Sequence, residues 1–499
     1  LPSPNIILVT LDAMRADLLG RERNGRLLTS NLSEFGSEGR VFTRAVAAGI
    51  PTYFSFPPMF RGGLALDGGK VIGLPVGTTT FVEELSRRGY RTAAVIASNP
   101  YLSHFYRYDV GFDVFDDFYA SGLAGRSRRE RRRSMRLVKG VAGKGATARL
   151  RRAKAKYNYL RECARGANPA LHEGSCAEKV TERGLALARE MEGDRPFFLW
   201  LHYMDVHGYF YATQADRRAV MGASTPIGDA RIRWNRYRYI DRWTGQVIRS
   251  QEEPPDRDVE HTSGDEEVLT GFYEAAMLYA DRSIAPLLDW VRRSGRTVTV
   301  VTADHGEQFY DHGKIGHAPV SVYEELARVP LIIHGPGVEC GEVNDWVSHS
   351  SIPVSIREVA GLPGGVQHAP SLLAGAPGGE PVFTETLLGV RAPFPRRRFD
   401  EHTLLIACRR GPHKYVWREE DGAEQLFDLD SDPGEKESLM GRPDVAGVEA
   451  ELRAAVRGRA ARIGVLDARA KLSESVRKLG RSMDIGSSAY CGGVPSSSK

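Results

Sequence analysis

Asn5-Ile-Ile-Leu-Val-Thr-Leu11-Asp12 and Thr297-Val-Thr-Val-Val-Thr-Ala303-Asp304-His305 are two apolar, β-branched runs, each closed by side chains that can bind a cation. A run of this texture is the pattern of a parallel strand buried on both faces, and ligands in open α/β sheets gather just beyond the carboxyl ends of such strands. Asp12, Asp304 and His305 are therefore expected to converge on one site. Similar runs at Arg91 to Ala97, Phe197 to Tyr203 and Pro330 to Gly335 alternate with helix-compatible stretches at Phe81 to Arg88, Ala177 to Glu192 and Glu266 to Arg293. Alternation of this kind predicts α/β layering. The last of those helices ends in Arg292-Arg-Ser-Gly295, a basic final turn followed by a glycine stop.

The chain has 499 residues, enough for one large α/β domain and a smaller unit, since single cores stop growing near ~250 to 300 residues. No apolar stretch approaches the ~20 residues of a membrane helix. The chain enters its first strand after Leu1-Pro-Ser-Pro4, and its five cysteines are scattered without a Cys-x-x-Cys pair, so the expectation is a reducing, cytoplasmic setting and no zinc knot. Net charge is +5, yet Arg126 to Arg165 alone holds sixteen Lys/Arg against Glu130 and Glu162, which leaves the rest of the chain net negative. The basic character belongs to an insert at about 122–168 and not to a surface spread over the fold. With Tyr157 and Tyr159 as its only aromatic residues, the segment 126–165 offers little stacking surface, so a nucleic acid is not the expected partner. An anionic lipid or polymer is the expected contact if the insert is more than a solvated helical face; the oligomeric state is left open.

Residues 215–265 form a second excursion, polar and containing Pro254-Pro255. After about Pro395 the texture changes to short alternating runs at Thr403 to Cys408, Lys414 to Arg418 and Glu424 to Leu429, the pattern of an antiparallel meander. The expected organisation is a catalytic α/β domain over 1–395, a small antiparallel sheet with a packed helix over 396–465, and a helical or flexible tail over 466–499.

Four segments in order carry a family resemblance: Asp12-Ala-Met-Arg15-Ala-Asp17; His202-Tyr-Met-Asp205-Val-His207; Thr302-Ala-Asp304-His305-Gly306-Glu307; and Tyr323-Glu-Glu-Leu-Ala-Arg-Val-Pro-Leu-Ile-Ile333. With Gly89-Tyr-Arg-Thr-Ala93, Gly111-Phe-Asp113 and the late Leu426-Phe-Asp-Leu-Asp-Ser-Asp-Pro433, the set resembles the sulfatase branch of the alkaline phosphatase superfamily over roughly residues 4 to 440. The resemblance implies a three-layer alkaline-phosphatase-like α/β sandwich with a central, mostly parallel sheet and a small C-terminal antiparallel subdomain.

In that family a nucleophile opens a helix ten residues before a glycine, usually within Cys-x-Pro-Ser-Arg. Counting back from Gly62 lands on Thr52, in Thr52-Tyr-Phe-Ser55-Phe-Pro57-Pro58. Ser55 reads as an N-cap and the two prolines as first-turn residues. A hydroxyl at such a helix start feels the positive dipole end and free amides, which favour an alkoxide and a bound oxyanion. The bland alternative is a helix-entry threonine with no chemical task. Sulfatases of this family convert cysteine or serine to formylglycine; threonine cannot become that aldehyde and resembles the branch acting on phosphoryl groups. Where sulfatases carry two adjacent acids and a later Asp-Asn around calcium, this chain has Leu11-Asp12 and Asp304-His305. By resemblance, Asp12, Thr52, Asp304 and His305 surround one divalent ion. Exchanging oxygen ligands for imidazole favours manganese or zinc, with calcium as the remaining option.

His207 and His317 are the candidates to hold a non-bridging oxygen or protonate the leaving alcohol. Arg15, Ser55, His312 and Lys314 are the candidate substrate-binding residues, with Arg15 equally explained by pairing to Asp17. His202 and His334 read as packed core histidines. The reaction implied is metal-assisted, in-line displacement at phosphorus or sulfur of an anionic ester by Thr52, followed by hydrolysis. Two alternatives stand beside it: a phosphotransferase moving a lipid or polymer headgroup to an alcohol, and a metal-binding recognition module without turnover.

Overall fold

The computed structural model describes residues 3–118, 176–207, 210–222, 265–317, 321–362, 369–373, 379–388 and 402–488. The basic insert and nearly all of the 215–265 excursion lie outside the described residues. An eight-stranded sheet organises the main body, from β1 (Asn5–Leu11), β2 (Arg40–Phe42), β3 (Arg91–Ile96), β4 (Val114–Asp116), β5 (Phe197–Tyr203), β6 (Thr297–Ala303), β7 (Leu331–His334) and β8 (Gly341–Val343). Across the sheet the order is β8-β2-β7-β6-β1-β5-β3-β4. The five strands from β6 to β4 are parallel, while β7 runs antiparallel to both its neighbours. Strand β1 lies between β5 and β6 with Thr10 opposite both His202 and Thr302. All residues of these three strands are buried, as their near-continuous apolar sequence requires.

Alternation along β5 assigns the two faces. Helix α1 (Ser30–Ser37) packs on the long helix Asp265–Ser294, whereas Phe198 and Trp200 meet helices α2 (Thr52–Arg61) and α3 (Phe81–Arg87) through Phe60 and Phe81. Phe197 and Tyr203 point the other way: Phe197 meets Trp290 of the long helix Asp265–Ser294, and Tyr203 shares a hydrogen bond with Thr181 of Ala177–Met191. Helices therefore cover both faces, and the three-layer expectation holds.

The small sheet is antiparallel, as expected, with strands β9 (Val382–Leu387), β10 (Leu404–Arg410), β11 (His413–Arg418) and β12 (Glu424–Asp428) in sequence order. Its first strand lies upstream of the limit near 396: the texture change marks the meander, but Val382-Phe-Thr-Glu-Thr-Leu387 supplies the edge that the meander pairs with. Helix Ala446–Ser488 packs on this sheet and continues past 465, since no proline interrupts its Ala-, Arg- and Leu-rich sequence. Ile406, Cys408, Tyr415 and Leu426 join the same continuous core as β1, so the small sheet is anchored by shared apolar packing.

Helix α2 starts earlier than its prolines suggest. Pro51 is the N-cap, Thr52 the first helical residue, and Pro57 and Pro58 lie inside the helix. Ser55 is consequently a buried interior residue and not a cap; its amide already bonds the Pro51 carbonyl.

Candidate active site

Asp12 follows β1, His207 follows β5, and Asp304-His305 follows β6, so three adjacent strand ends bring these side chains together. Ligand atoms of Asp12, Asp304 and His305 all lie within 4.8 Å of one another, and the three residues are fully buried. Each carboxylate is divided in its bonding. Asp304 Oδ1 accepts the backbone N–H groups of Ala13 (3.0 Å) and His305 (2.9 Å), while its Oδ2 has no hydrogen-bond partner among the described residues. On Asp12, Oδ2 accepts the Asn99 amide (3.0 Å) and faces His202 Nε2 (3.4 Å), while Oδ1 is unpartnered. His305 Nδ1 donates to the Gly306 carbonyl at 2.7 Å, which leaves the Nε2 lone pair free, 3.5 Å from Asp304 Oδ2 and 3.9 Å from Asp12 Oδ1. Thr52 Oγ1, at the start of α2, is 3.4 Å from the same Nε2.

Two buried carboxylate oxygens and an imidazole lone pair aimed at one point repel one another unless a cation stands between them. The titration of the pair carries the same message. Burial, and then the Asp12 charge, raises the Asp304 carboxyl, whereas burial of Asp12 is outweighed by His207, His202 and His305, which hold it low. Donors of this kind, hard oxygens with one imidazole, fit a divalent metal ion. The position of the second family acid is filled by Leu11, whose buried side chain contributes no ligand.

His207 and His317 flank the cluster. His207 Nε2 is 3.9 Å from Asp12 Oδ1, and the His317 ring lies 4.6 Å from that of His305 and 5.1 Å from that of His207. Burial lowers His207, an effect that the Asp12 charge opposes. Burial would lower His317 too, but Glu307, 3.1 Å from its Nδ1, pushes it up to about 9 and keeps it charged.

The substrate-binding candidates are dispersed. Arg15 is bound to Asp17 and Asp311, each at 2.9 Å, and donates to the Glu307 carbonyl, the pairing alternative extended by a second acid. His312 donates to Glu325 at 2.7 Å and stacks on Tyr323 at 3.6 Å, towards the small sheet. Ser55 is enclosed in α2, and Lys314 is exposed on the loop before His317. His202 is buried and bonded, as read from the strand, while the His334 ring packs at a tilt against Phe35 near Glu38. Two contributors escaped the sequence reading. Asn99, in Ser98-Asn99-Pro100, carries the signal of an ordinary turn cap, and Glu307 was visible only as the end of Asp304-His-Gly-Glu307.

Strand-end acids, a helix-start hydroxyl and flanking imidazoles thus gather at one end of this sheet. The Sulfatase family model matches residues 4–362, and the chain belongs to the sulfatase family. Arylsulfatase K of Bos taurus is 27% identical over 205 residues, covering 38% of this chain and 36% of the relative. The chain thus spans about a third of the length of the first curated relatives it matches. Among solved structures, a protein in complex with its substrate D-glucosamine-2-N,6-O-disulfate has a TM-score of 0.64 at 16% identity, over 93% of this chain and 99% of that one. The phosphonate monoester hydrolase of Agrobacterium radiobacter has a TM-score of 0.60 at 17% identity, over 94% and 96%. Both share the fold.

Proposed function

We propose that this chain is a metal-dependent hydrolase of anionic phosphorus or sulfur esters that attacks through Thr52. The observation that carries the reading is the placement of Thr52 Oγ1 at a helix start, 3.4 Å from His305 Nε2, which itself lies 3.5 Å from Asp304 Oδ2 and 3.9 Å from Asp12 Oδ1, the two unpartnered oxygens. A divalent ion held by Asp12, Asp304 and His305, with manganese or zinc favoured by the imidazole, supplies Lewis-acid polarisation when bound. Thr52 Oγ1 gives up its proton to solvent and forms the new bond to phosphorus or sulfur as the ester oxygen leaves on the opposite side. The first amides of α2 favour the anion at that position. Charged His317, braced by Glu307, binds a non-bridging oxygen or protonates the leaving alkoxide, and His207 lines the other side of the reacting group. Water then releases the Thr52 adduct.

A threonine nucleophile favours phosphate, phosphonate or phosphodiester substrates over sulfate, because the formylglycine route is closed to it, and a phosphonate monoester hydrolase shares the fold. The test is metal content of the purified protein, then turnover of aryl phosphate, phosphodiester and aryl sulfate with and without that metal. Thr52→Ala is expected to lower turnover by roughly 10³-fold or more while metal content is retained, in line with loss of a covalent nucleophile. Full activity in that variant removes Thr52 from the chemistry. Products formed in the presence of added alcohols decide between hydrolysis and headgroup transfer: a transferred group in place of free anion makes the chain a transferase.

A further inference from the structure

The half of Asp12 that turns away from the cluster ends a chain of buried donors. Asn99 Oδ1 accepts the Tyr101 backbone N–H at 3.0 Å, which fixes the amide so that Nδ2 donates to Asp12 Oδ2. His202 Nε2 faces the same oxygen at 3.4 Å. A carboxylate that already takes an amide N–H offers only acceptor capacity there, so Nε2 of a neutral His202 carries the ring proton and Nδ1 is bare. Its Nδ1 lies 2.9 Å from Thr10 Oγ1. The hydroxyl proton is therefore given to Nδ1, in preference to the Leu201 carbonyl at 3.4 Å. Thr10 Oγ1 in turn accepts the Trp200 indole N–H at 3.0 Å, a group that can only donate. All five residues are buried, and strand register places Thr10 directly opposite His202, so the order runs in one direction: Trp200 to Thr10 to His202 to Asp12, with Asn99 entering at the end.

We infer that Thr10, His202 and Asn99 are positioning residues that saturate Asp12 Oδ2 and present Oδ1 alone to the cation, making Asp12 a one-oxygen ligand. The inference rests on the metal reading above. It also gives the strand histidine a task beyond packing. Where the chain has Leu11 in place of a second acid, a pinned Asp12 keeps the remaining oxygen aimed without help from a neighbouring carboxylate. Outer partners of this kind typically change metal affinity by roughly 10- to 100-fold when removed.

The test uses the full-length protein stripped of metal and titrated with Mn²⁺ or Zn²⁺ against a chromophoric chelator. Thr10→Val and Asn99→Ala are each expected to weaken binding by roughly 10- to 100-fold, while Thr10→Ser, which keeps the hydroxyl, stays within about threefold of the parent. Affinities of Thr10→Val and Asn99→Ala within about twofold of a parent that does bind overturn the inference and leave the metal site standing. A parent that binds neither ion sinks the metal reading itself. Independently of any variant, ¹⁵N-histidine spectra of the parent are expected to show His202 protonated at Nε2 and bare at Nδ1; the opposite tautomer breaks the chain at Thr10 and overturns the inference.

Discussion

A methyl group on Gly306 would lie 2.0 Å from the carbonyl oxygen of Glu325, and the Gly306 amide donates to Leu326 at 2.8 Å. The glycine between His305 and Glu307 is thus required by backbone contact, and both flanking side chains depend on it. Gly306→Ala is expected to destabilise the fold by about 1–3 kcal/mol through overpacking and to weaken metal binding, read from a denaturant midpoint and a metal titration. At this scale the sequence was informative where side chain and strand end coincide: Asp12, Asp304 and His305 follow apolar runs, and Thr52 follows from the count to Gly62. It was silent where a residue acts through a partner distant in the chain. Asn99 reaches Asp12 across 87 positions, and nothing local separates it from any other turn asparagine. Arg15 had two readings in the sequence; its position between Asp17 and Asp311 favours pairing.

Among elements, the loop after β5 binds the fold to its own pH. Asp205 is fully buried, accepts the Ala177 amide at the start of helix Ala177–Met191, and leaves Oδ2 without a partner. Burial raises its carboxyl from the ordinary range to about 7. Between about pH 4 and pH 7 the folded chain keeps a proton that the unfolded chain has lost, so this group's contribution to stability falls as pH rises and levels off above 7. Asp205→Asn keeps an acceptor for Ala177 and is expected to remove that fall, giving a higher thermal midpoint than the parent at pH 8 and a smaller difference at pH 5. Strands buried on both faces declared themselves by composition, as β1, β5 and β6 did. The short strands β2, β4 and β8 are three residues each and carry too few side chains to show a period. Helix α2 was misjudged at its start because two prolines usually mark a first turn, whereas here Pro51 opens the helix ahead of them.

At the scale of the whole molecule, the small four-stranded sheet is tied to the main body by a buried ionic cluster as well as by shared core. Lys414 of β11 donates to Glu324 (2.8 Å) and the Val322 carbonyl (2.6 Å) and forms an ion pair with Glu435 (2.7 Å), and Arg409 of β10 also pairs with Glu324. Lys414→Met leaves two acids facing one another out of water and is expected to destabilise by about 3–5 kcal/mol, measured by urea unfolding, as for other broken buried pairs. Family order made the overall architecture readable, but the joint between the sheets was not, because Lys414 and Glu324 look like surface charges until the fold buries them. Strand β1 has a consequence for how the molecule is made. Its flanking contacts, Thr10 with Leu201 and Ala13 with Asp304, close chain separations of 191 and 291 residues. Loops of that size close late and at an entropic cost, so the cation-binding pocket is absent from any early folding species. An ion that binds there cannot guide the chain to its fold; it arrives after assembly and acts as a lock, slowing unfolding far more than it speeds folding.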